Sequence, residues 1–245
     1  MKKFNFLNIA IDEQEIDIYI SGDIVADNEK ELYDYFGVES TSPNEFKQLL
    51  QDNAGKNLTV HINSRGGNIF AGVAMYNALM DYKGNTTAVV EGIVASAATL
   101  PMVACNKVRM MASSVVMIHC SSVAWTAGNK QQLKQDIKTL ETIDDAMANA
   151  YELKTGLSHD KILKMMADET WMDAKEAKRL GFVDEIPFEL PQDLVASMVA
   201  SHKAIYAQLV DNSEKLNYNI KLIQQDYNTD FEYLKAKNTL KTIGV

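Results

Sequence analysis

Runs of strand length and stretches of helical periodicity alternate along most of the chain. Residues 15–25, EIDIYISGDIV, alternate between apolar and polar positions, and NLTVHINS (57–64) and NTTAVVEGIV (85–94) predict two further strands. The segment between them, IFAGVAMYNALMDY (69–82), predicts a helix. Its predicted core face consists of residues at helical spacing: Phe70, Val73, Ala74, Asn77 and Met80. This order predicts an α/β fold with a parallel sheet and crossover helices.

The second half of the chain is richer in helical patterns. Residues 107–119, KVRMMASSVVMIH, predict two short strands or one bent strand, and residues 128–154 predict one long helix. Two shorter helices are predicted at 159–168 and 173–181, separated by an extended ETWM. FVDEI (182–186) predicts a last strand. Residues 26–41 show no periodicity and predict irregular chain as far as a helix that begins at Ser42-Pro43.

The composition changes near residue 188. Residues 1–187 hold the strand and helix alternation, whereas LPQDLVASMVASHKAIYAQLV (190–210) predicts one amphipathic helix followed by a polar tail. We therefore expect an α/β domain over 1–187 and a C-terminal helical appendage over 188–245. A length of 245 residues suits this division.

Charge and cysteine content narrow the function classes. The net charge of −9, with no Lys/Arg cluster, disfavours nucleic acid and anionic membranes as partners. The two cysteines, Cys105 and Cys120, lack metal-ligand spacing, so we expect no metal site and a reducing compartment. The N-terminus lacks the apolar core and cleavage site of a signal peptide, which predicts a cytosolic protein.

Two junctions after predicted strands have residue types suited to a site. Ser64-Arg65-Gly66-Gly67 follows one strand, and Ala95-Ser96-Ala97 follows the next. In parallel sheets, sites form at the carboxyl ends of strands. Glycines and helix N-termini there can present backbone N–H groups to a developing oxyanion. The alternative for both junctions is a tight packing turn, because serine is also a common helix cap.

A serine nucleophile requires a base, and the chain has four histidines. His61 lies within a predicted strand, His159 begins a short helix and His202 lies in the C-terminal appendage. His119 ends the apolar VVMIH, again at the carboxyl end of a strand, and is the best candidate by position. A satisfied histidine at a strand end is the alternative. Ser96 does not begin an S-x-x-K pattern, because residue 99 is threonine, and the chain lacks the G-x-S-x-G, P-loop, H-E-x-x-H and C-x-x-C patterns that would indicate other chemistries.

Taken together, these segments resemble the proteolytic subunit of the Clp protease, and more closely the Clp-like head-maturation proteases of phages and prophages. The resemblance runs from about residue 16 to 186. It rests on segments that occur in the family's order: YISGDI, VHINSRGGNIFAGVAMYNAL, VEGIVASAAT, VVMIH and ETWMDAKEAKRLGFVDEI. It implies the Clp/crotonase-type fold with a long handle helix, the helix over about 128–154.

The resemblance also implies roles for individual residues. Ser96 matches the family's nucleophile and His119 its general base, while Gly67 and Ala97 match the two backbone donors of the oxyanion hole. The family's aspartate aligns with Glu169, and the neighbouring Asp168 is the fallback. Either carboxylate could orient the imidazole. The implied activity is that of a serine endopeptidase without a metal or cofactor.

Partners follow from the resemblance as well. It implies a polypeptide substrate, a capsid or scaffold protein in the phage branch, and a homo-oligomeric ring, with two stacked heptamers as one form. A pocket for an ATPase unfoldase is not evident in the sequence, so a general degradative peptidase with such a partner stays an alternative. Two others are a catalytically inactive ring subunit and a crotonase-type acyl-CoA enzyme. The sequence departs from the degradative subunit at Arg65, where that subunit usually has proline, and at Pro101, which is predicted to lie within a helix and to kink it.

Overall fold

A seven-stranded, mostly parallel sheet forms the frame of the protein. The computed structural model describes residues 15–187, so the predicted C-terminal helix and the rest of 188–245 lie outside the described residues. The strands are β1 (Glu15–Ile24), β2 (Ser40–Thr41), β3 (Asn57–Gly67), β4 (Thr86–Ala95), β5 (Lys107–Met110), β6 (Val115–Ile118) and β7 (Thr170–Asp173). Their order is β2-β1-β3-β4-β6-β7, with β5 also paired to β4. Every pair is parallel except β6–β7, which confirms the predicted fold class.

Helices connect the strands, as expected for a parallel sheet. They are α1 (Asp27–Phe36), α2 (Pro43–Asp52), α3 (Ile69–Asp81), α4 (Thr99–Ala104), α5 (Lys130–Thr155), α6 (His159–Ala167) and α7 (Ala174–Arg179). A short 3₁₀ turn, Ser96–Ala98, joins β4 to α4. The long predicted helix is α5, with Asn129 as its N-cap and the left-handed Gly156 at its end. Within residues 15–187, no helix combines the length and apolarity needed to cross a membrane.

One face of the sheet packs against helices in a single core. The alternate residues Ile16, Ile18 and Ile20 of β1 are fully buried and belong to one cluster with side chains of α2, α3, α4 and α5. Positions between them are only partly covered. There His61 stacks on Tyr19 with ring centroids 4.7 Å apart. His61 is thus a residue of the second sheet face.

The buried face of α3 differs from the prediction. The structure buries Ala71, Gly72, Met75 and Leu79, whereas Phe70 and Met80 of the predicted face are exposed. The reason is a close crossing, because a Cβ on Gly72 would lie 2.7 Å from the carbonyl oxygen of Ala97. Small side chains must face the turn that follows β4, and this rotates the helix away from the face that hydrophobicity alone favours.

Two further predictions of secondary structure were wrong. Residues 27–36 form α1 instead of irregular chain. This helix has no fully buried side chain, and its apolar residues are confined to its C-terminal half, too short a run to show a helical period. FVDEI is not a strand, and it pairs with β5 only at the isolated bridge Arg109–Glu185. The Asp184 carboxylate accepts from the Val108 N–H at 2.6 Å. That N–H would otherwise donate to a backbone carbonyl if FVDEI paired with β5 as a strand.

Substituting Gly72 tests the close crossing. Alanine should gain about 1 kcal/mol of helix propensity, but overpacking against the Ala97 backbone should cost about 1–3 kcal/mol. We expect Gly72→Ala to lower the free energy of unfolding, measured by chemical denaturation. Asn77→Ala, on the exposed side of the same helix, is the matched control and should be neutral or stabilising. An equal gain in both variants would contradict the crossing.

Candidate active site

Ser96 follows β4 directly in a backbone conformation that serine rarely adopts. Its φ is +55°, and the only other non-glycine residue with positive φ among residues 15–187 is Glu169, at +48°. Such strain concentrates at functional sites. The Ser96 carbonyl accepts from Thr99 Oγ1 at 2.6 Å, and Thr99 Oγ1 lies 2.5 Å from the buried Tyr151 hydroxyl of α5. Tyr151 of the long helix therefore holds the strained turn in place through Thr99.

Sheet pairing brings His119 to Ser96. Strands β4 and β6 are parallel, with Ala95 opposite Met117, so the residues that follow each strand emerge at the same sheet edge. His119 Nε2 lies 2.7 Å from Ser96 Oγ. This is hydrogen-bond distance for a hydroxyl that donates to an imidazole nitrogen.

Burial and two carboxylates determine the protonation of His119. Burial lowers the pKa of the imidazole below its usual value, and the negative charges of Glu169 and Asp144 partly offset this effect. The net direction is downward, which favours the neutral ring near neutral pH. A neutral ring can accept the proton of Ser96.

The diglycine turn lies against the serine. Gly66 and Gly67 have φ values of +96° and +139°, and a Cβ on Gly66 would lie 2.6 Å from the Ala95 carbonyl oxygen and 2.8 Å from the Ala97 nitrogen. Ser64 Oγ braces the turn because it accepts from the Gly66 N–H at 3.1 Å. The structure thus brings together Ser96, Ala97 and the turn that contains Gly67.

The two candidate acids have different surroundings. Glu169 acts electrostatically on His119, and its Oε1 accepts from the Trp171 indole at 3.0 Å. In the described part of the chain, Glu169 and His119 share no hydrogen bond. Asp168 is exposed and pairs with Lys164 at 2.7 Å. The pKa of His119 responds to the charge of Glu169, whereas Asp168 faces Lys164, so these surroundings favour Glu169 over Asp168.

Asp144 of α5 also belongs to this site, and sequence reasoning did not identify it as a functional residue. Its Oδ1 accepts from the Ser121 N–H at 2.6 Å, two residues after His119. The available signal was an acidic residue within the apolar three- and four-residue steps of the long helix, between Leu140 and Met147.

The two cysteines and His159 lack the surroundings of catalytic or metal-binding residues. Burial raises the pKa of the Cys105 thiol to about 12, and that of Cys120 rises to about 11, with burial as the main cause, so neither is a ready thiolate. His159 lies within 3.3 Å of Asp145 and of Glu152. Among residues 15–187, no cluster of three or more His, Cys, Asp or Glu side chains has the arrangement of a metal site.

The two departures noted in the sequence have local explanations. Arg65 Nη2 pairs with Asp23 Oδ1 at 2.9 Å, and this ion pair ties the diglycine turn to β1. Pro101 is the third residue of α4, which begins at Thr99. An amide in the first helical turn has no acceptor within its own helix, so the missing N–H of proline costs little there.

Comparison with known proteins gives matches over the same region. The family model described as Clp protease matches residues 38–189. An ATP-dependent Clp protease proteolytic subunit from Deinococcus radiodurans is 28% identical over 155 residues, which are 61% of this chain and 76% of that protein. A subunit with the same description from Bacteroides fragilis is 32% identical over 143 residues, 54% of this chain and 64% of that protein.

A solved structure agrees at the level of the fold. A ClpP1 variant from Listeria monocytogenes superposes with a TM-score of 0.57 at 22% identity, and the match covers 73% of this chain and 94% of the other. The family match at 38–189 includes Ser96, His119 and Glu169 and spans more than half of the 245 residues. The chain therefore belongs to the Clp protease family.

Proposed function

We propose that this protein is a serine endopeptidase. The observation that supports this most directly is the 2.7 Å contact between Ser96 Oγ and His119 Nε2, with the serine at φ +55°. A strained strand-to-helix turn exposes a hydroxyl to its base and to substrate. Membership of the Clp protease family adds the expectation of a peptide substrate.

The chemistry is acyl transfer in two steps. His119 accepts the Ser96 proton as Oγ bonds to the peptide carbonyl carbon, and the Gly67 and Ala97 N–H groups stabilise the oxyanion. The C–N bond then breaks and His119 returns the proton to the leaving amine. Water, deprotonated by the same imidazole, hydrolyses the acyl-enzyme and restores the serine.

Glu169 is the proposed acid. Its charge is the largest charge effect on His119, and an adjacent negative charge stabilises the imidazolium formed in each step. The hydrogen bond from Trp171 holds this carboxylate at the site.

The natural substrate we propose is a phage capsid or scaffold protein. Support comes from the resemblance of residues 26–45 to the phage branch, where the chain is longer than in the degradative subunit. In the structure this segment includes α1, which presents Tyr35 and Phe36 at 76% and 43% exposure. General degradation with an ATPase unfoldase is the second candidate, favoured by the names of the Deinococcus and Bacteroides relatives.

We also propose that the protein assembles as a ring, with two heptamers stacked through α5. The apolar side chains Leu133 and Ile137, one turn apart on the same side of this helix, are 38% and 58% exposed. Apolar groups in such a row gain free energy when a second copy covers them.

A fluorophosphonate probe tests the nucleophile. We expect covalent labelling of the wild-type protein at Ser96 and none in Ser96→Ala, measured by intact mass and peptide mapping. A crotonase-type enzyme would instead bind a CoA ester, and an inactive ring subunit would do neither. Failure of the correctly assembled wild type to label would contradict the proposal.

The wild type and Ser96→Ala also test the proposed capsid or scaffold substrate. Co-expression with scaffold and major capsid precursors should yield cleaved products with the wild type and intact precursors with Ser96→Ala, at unchanged ring mass. Cleavage of unrelated proteins only in the presence of an unfoldase and ATP would favour the degradative alternative.

Glu169→Gln and Asp168→Asn separate the two acids. We expect Glu169→Gln to lower kcat/KM by about 10²–10⁴-fold and Asp168→Asn to change it little. The acid limb of the wild-type pH profile should have a midpoint below about 6.5, the ordinary histidine value, because burial lowers the pKa of His119. Glu169→Gln should move that midpoint lower still, since a charge that raises the pKa is removed. Greater loss in Asp168→Asn would reverse the assignment.

Ile137→Lys tests the stacking of rings. A lysine there would bury a charge between copies of α5, so we expect the assembly mass, measured by analytical ultracentrifugation, to fall to that of a single ring. Gln135→Lys adds the same charge on another side of the helix and should leave the mass unchanged. An intact double ring in Ile137→Lys would show that α5 does not form the contact.

A further inference from the structure

Helix α5 contacts both sides of the Ser96–His119 pair through one of its faces. Asp144 and Tyr151 are seven residues apart, which places them on the same side of the helix about two turns apart. Tyr151 reaches the Ser96 carbonyl through Thr99. Asp144 binds the backbone just after His119.

The hydrogen bond to Asp144 comes from a neutral donor. Its carboxylate accepts from the Ser121 N–H at 2.6 Å, and its negative charge is one of the causes that raise the pKa of the Cys120 thiol. It is half-buried, and no Lys or Arg within residues 15–187 pairs with it. Its neighbour Asp145 is exposed and faces His159 instead. Asp144 therefore presents an uncompensated negative charge beside the segment that holds the base.

We propose that Asp144 is a positioning residue for His119, which fixes the backbone after the imidazole and shares with Glu169 the stabilisation of the imidazolium. This inference rests on the proposed serine peptidase function. The shared role explains how a carboxylate such as Glu169, which has no hydrogen bond to the ring, can suffice. The ring experiences two partial electrostatic contributions, from the loop before β7 and from α5.

Three variants distinguish the effect of the Asp144 charge from that of its hydrogen bond to the Ser121 backbone. Asp144→Asn keeps an oxygen acceptor for the Ser121 N–H and removes the charge. Asp144→Ala removes both. Asp145→Asn removes a charge one residue away that does not act on His119, and it is the matched control. The measured quantity is the rate of fluorophosphonate labelling of Ser96 as a function of pH, in the full-length assembled protein.

We expect Asp144→Asn to slow labelling at neutral pH by about threefold to tenfold, because a less basic imidazole is a weaker general base. Its acid-limb midpoint should move to lower pH, since removing a negative charge lowers the pKa of His119. Asp144→Ala should be slower again, and Asp145→Asn should match the wild type in rate and midpoint.

The outcomes are distinguishable from failure of the proposed function. If the wild type labels and Asp144→Asn has the same rate and midpoint, the inference is overturned. It is also overturned if Asp144→Asn and Asp145→Asn slow equally with no change of midpoint, which indicates a general effect on α5. If the assembled wild type itself does not label, the serine peptidase assignment fails first.

Discussion

The parallel pairing of β4 with β6 is the constraint on which the site depends. Ala95 lies opposite Met117, so Ser96 is one residue past Ala95 and His119 is two residues past Met117, with Oγ and Nε2 2.7 Å apart. A shift of one residue would turn alternate side chains to the other face and separate the two groups. Val94, Ala95 and Met117 are all buried at this point of the sheet, so a change of register would displace three packed side chains.

The environment of His119 balances two opposing effects. Burial disfavours the imidazolium, while the charges of Glu169 and Asp144 favour it. A base needs both: a neutral ring before reaction and a stabilised cation during it. The positive φ of Ser96 and of Glu169 indicates that the fold accepts backbone strain on either side of this histidine to hold the arrangement.

Much of this could be predicted from the sequence, because hydrophobic alternation and strand-end chemistry are local properties. The strands around Ile18, Val60 and Val90 and the candidates Ser96 and His119 are of this kind. What could not be predicted depends on contacts distant in sequence. The rotation of α3 depends on the approach of Gly72 to Ala97, and the apolar residues of α1 occupy only its C-terminal half, too few to show a helical period. That Asp144 lies near His119 could not be predicted, because it depends on where α5 packs in the folded protein.

The central claim is that Ser96 attacks a carbonyl whose oxygen is held by the Gly67 and Ala97 N–H groups. An experimental structure of the protein inhibited by a peptide boronate tests it most directly. We expect a covalent bond from Ser96 Oγ to boron, with one boronate oxygen about 2.7–3.1 Å from both amide nitrogens. A bound inhibitor with no bond to Ser96, or with its oxygen directed away from both amides, would contradict the claim.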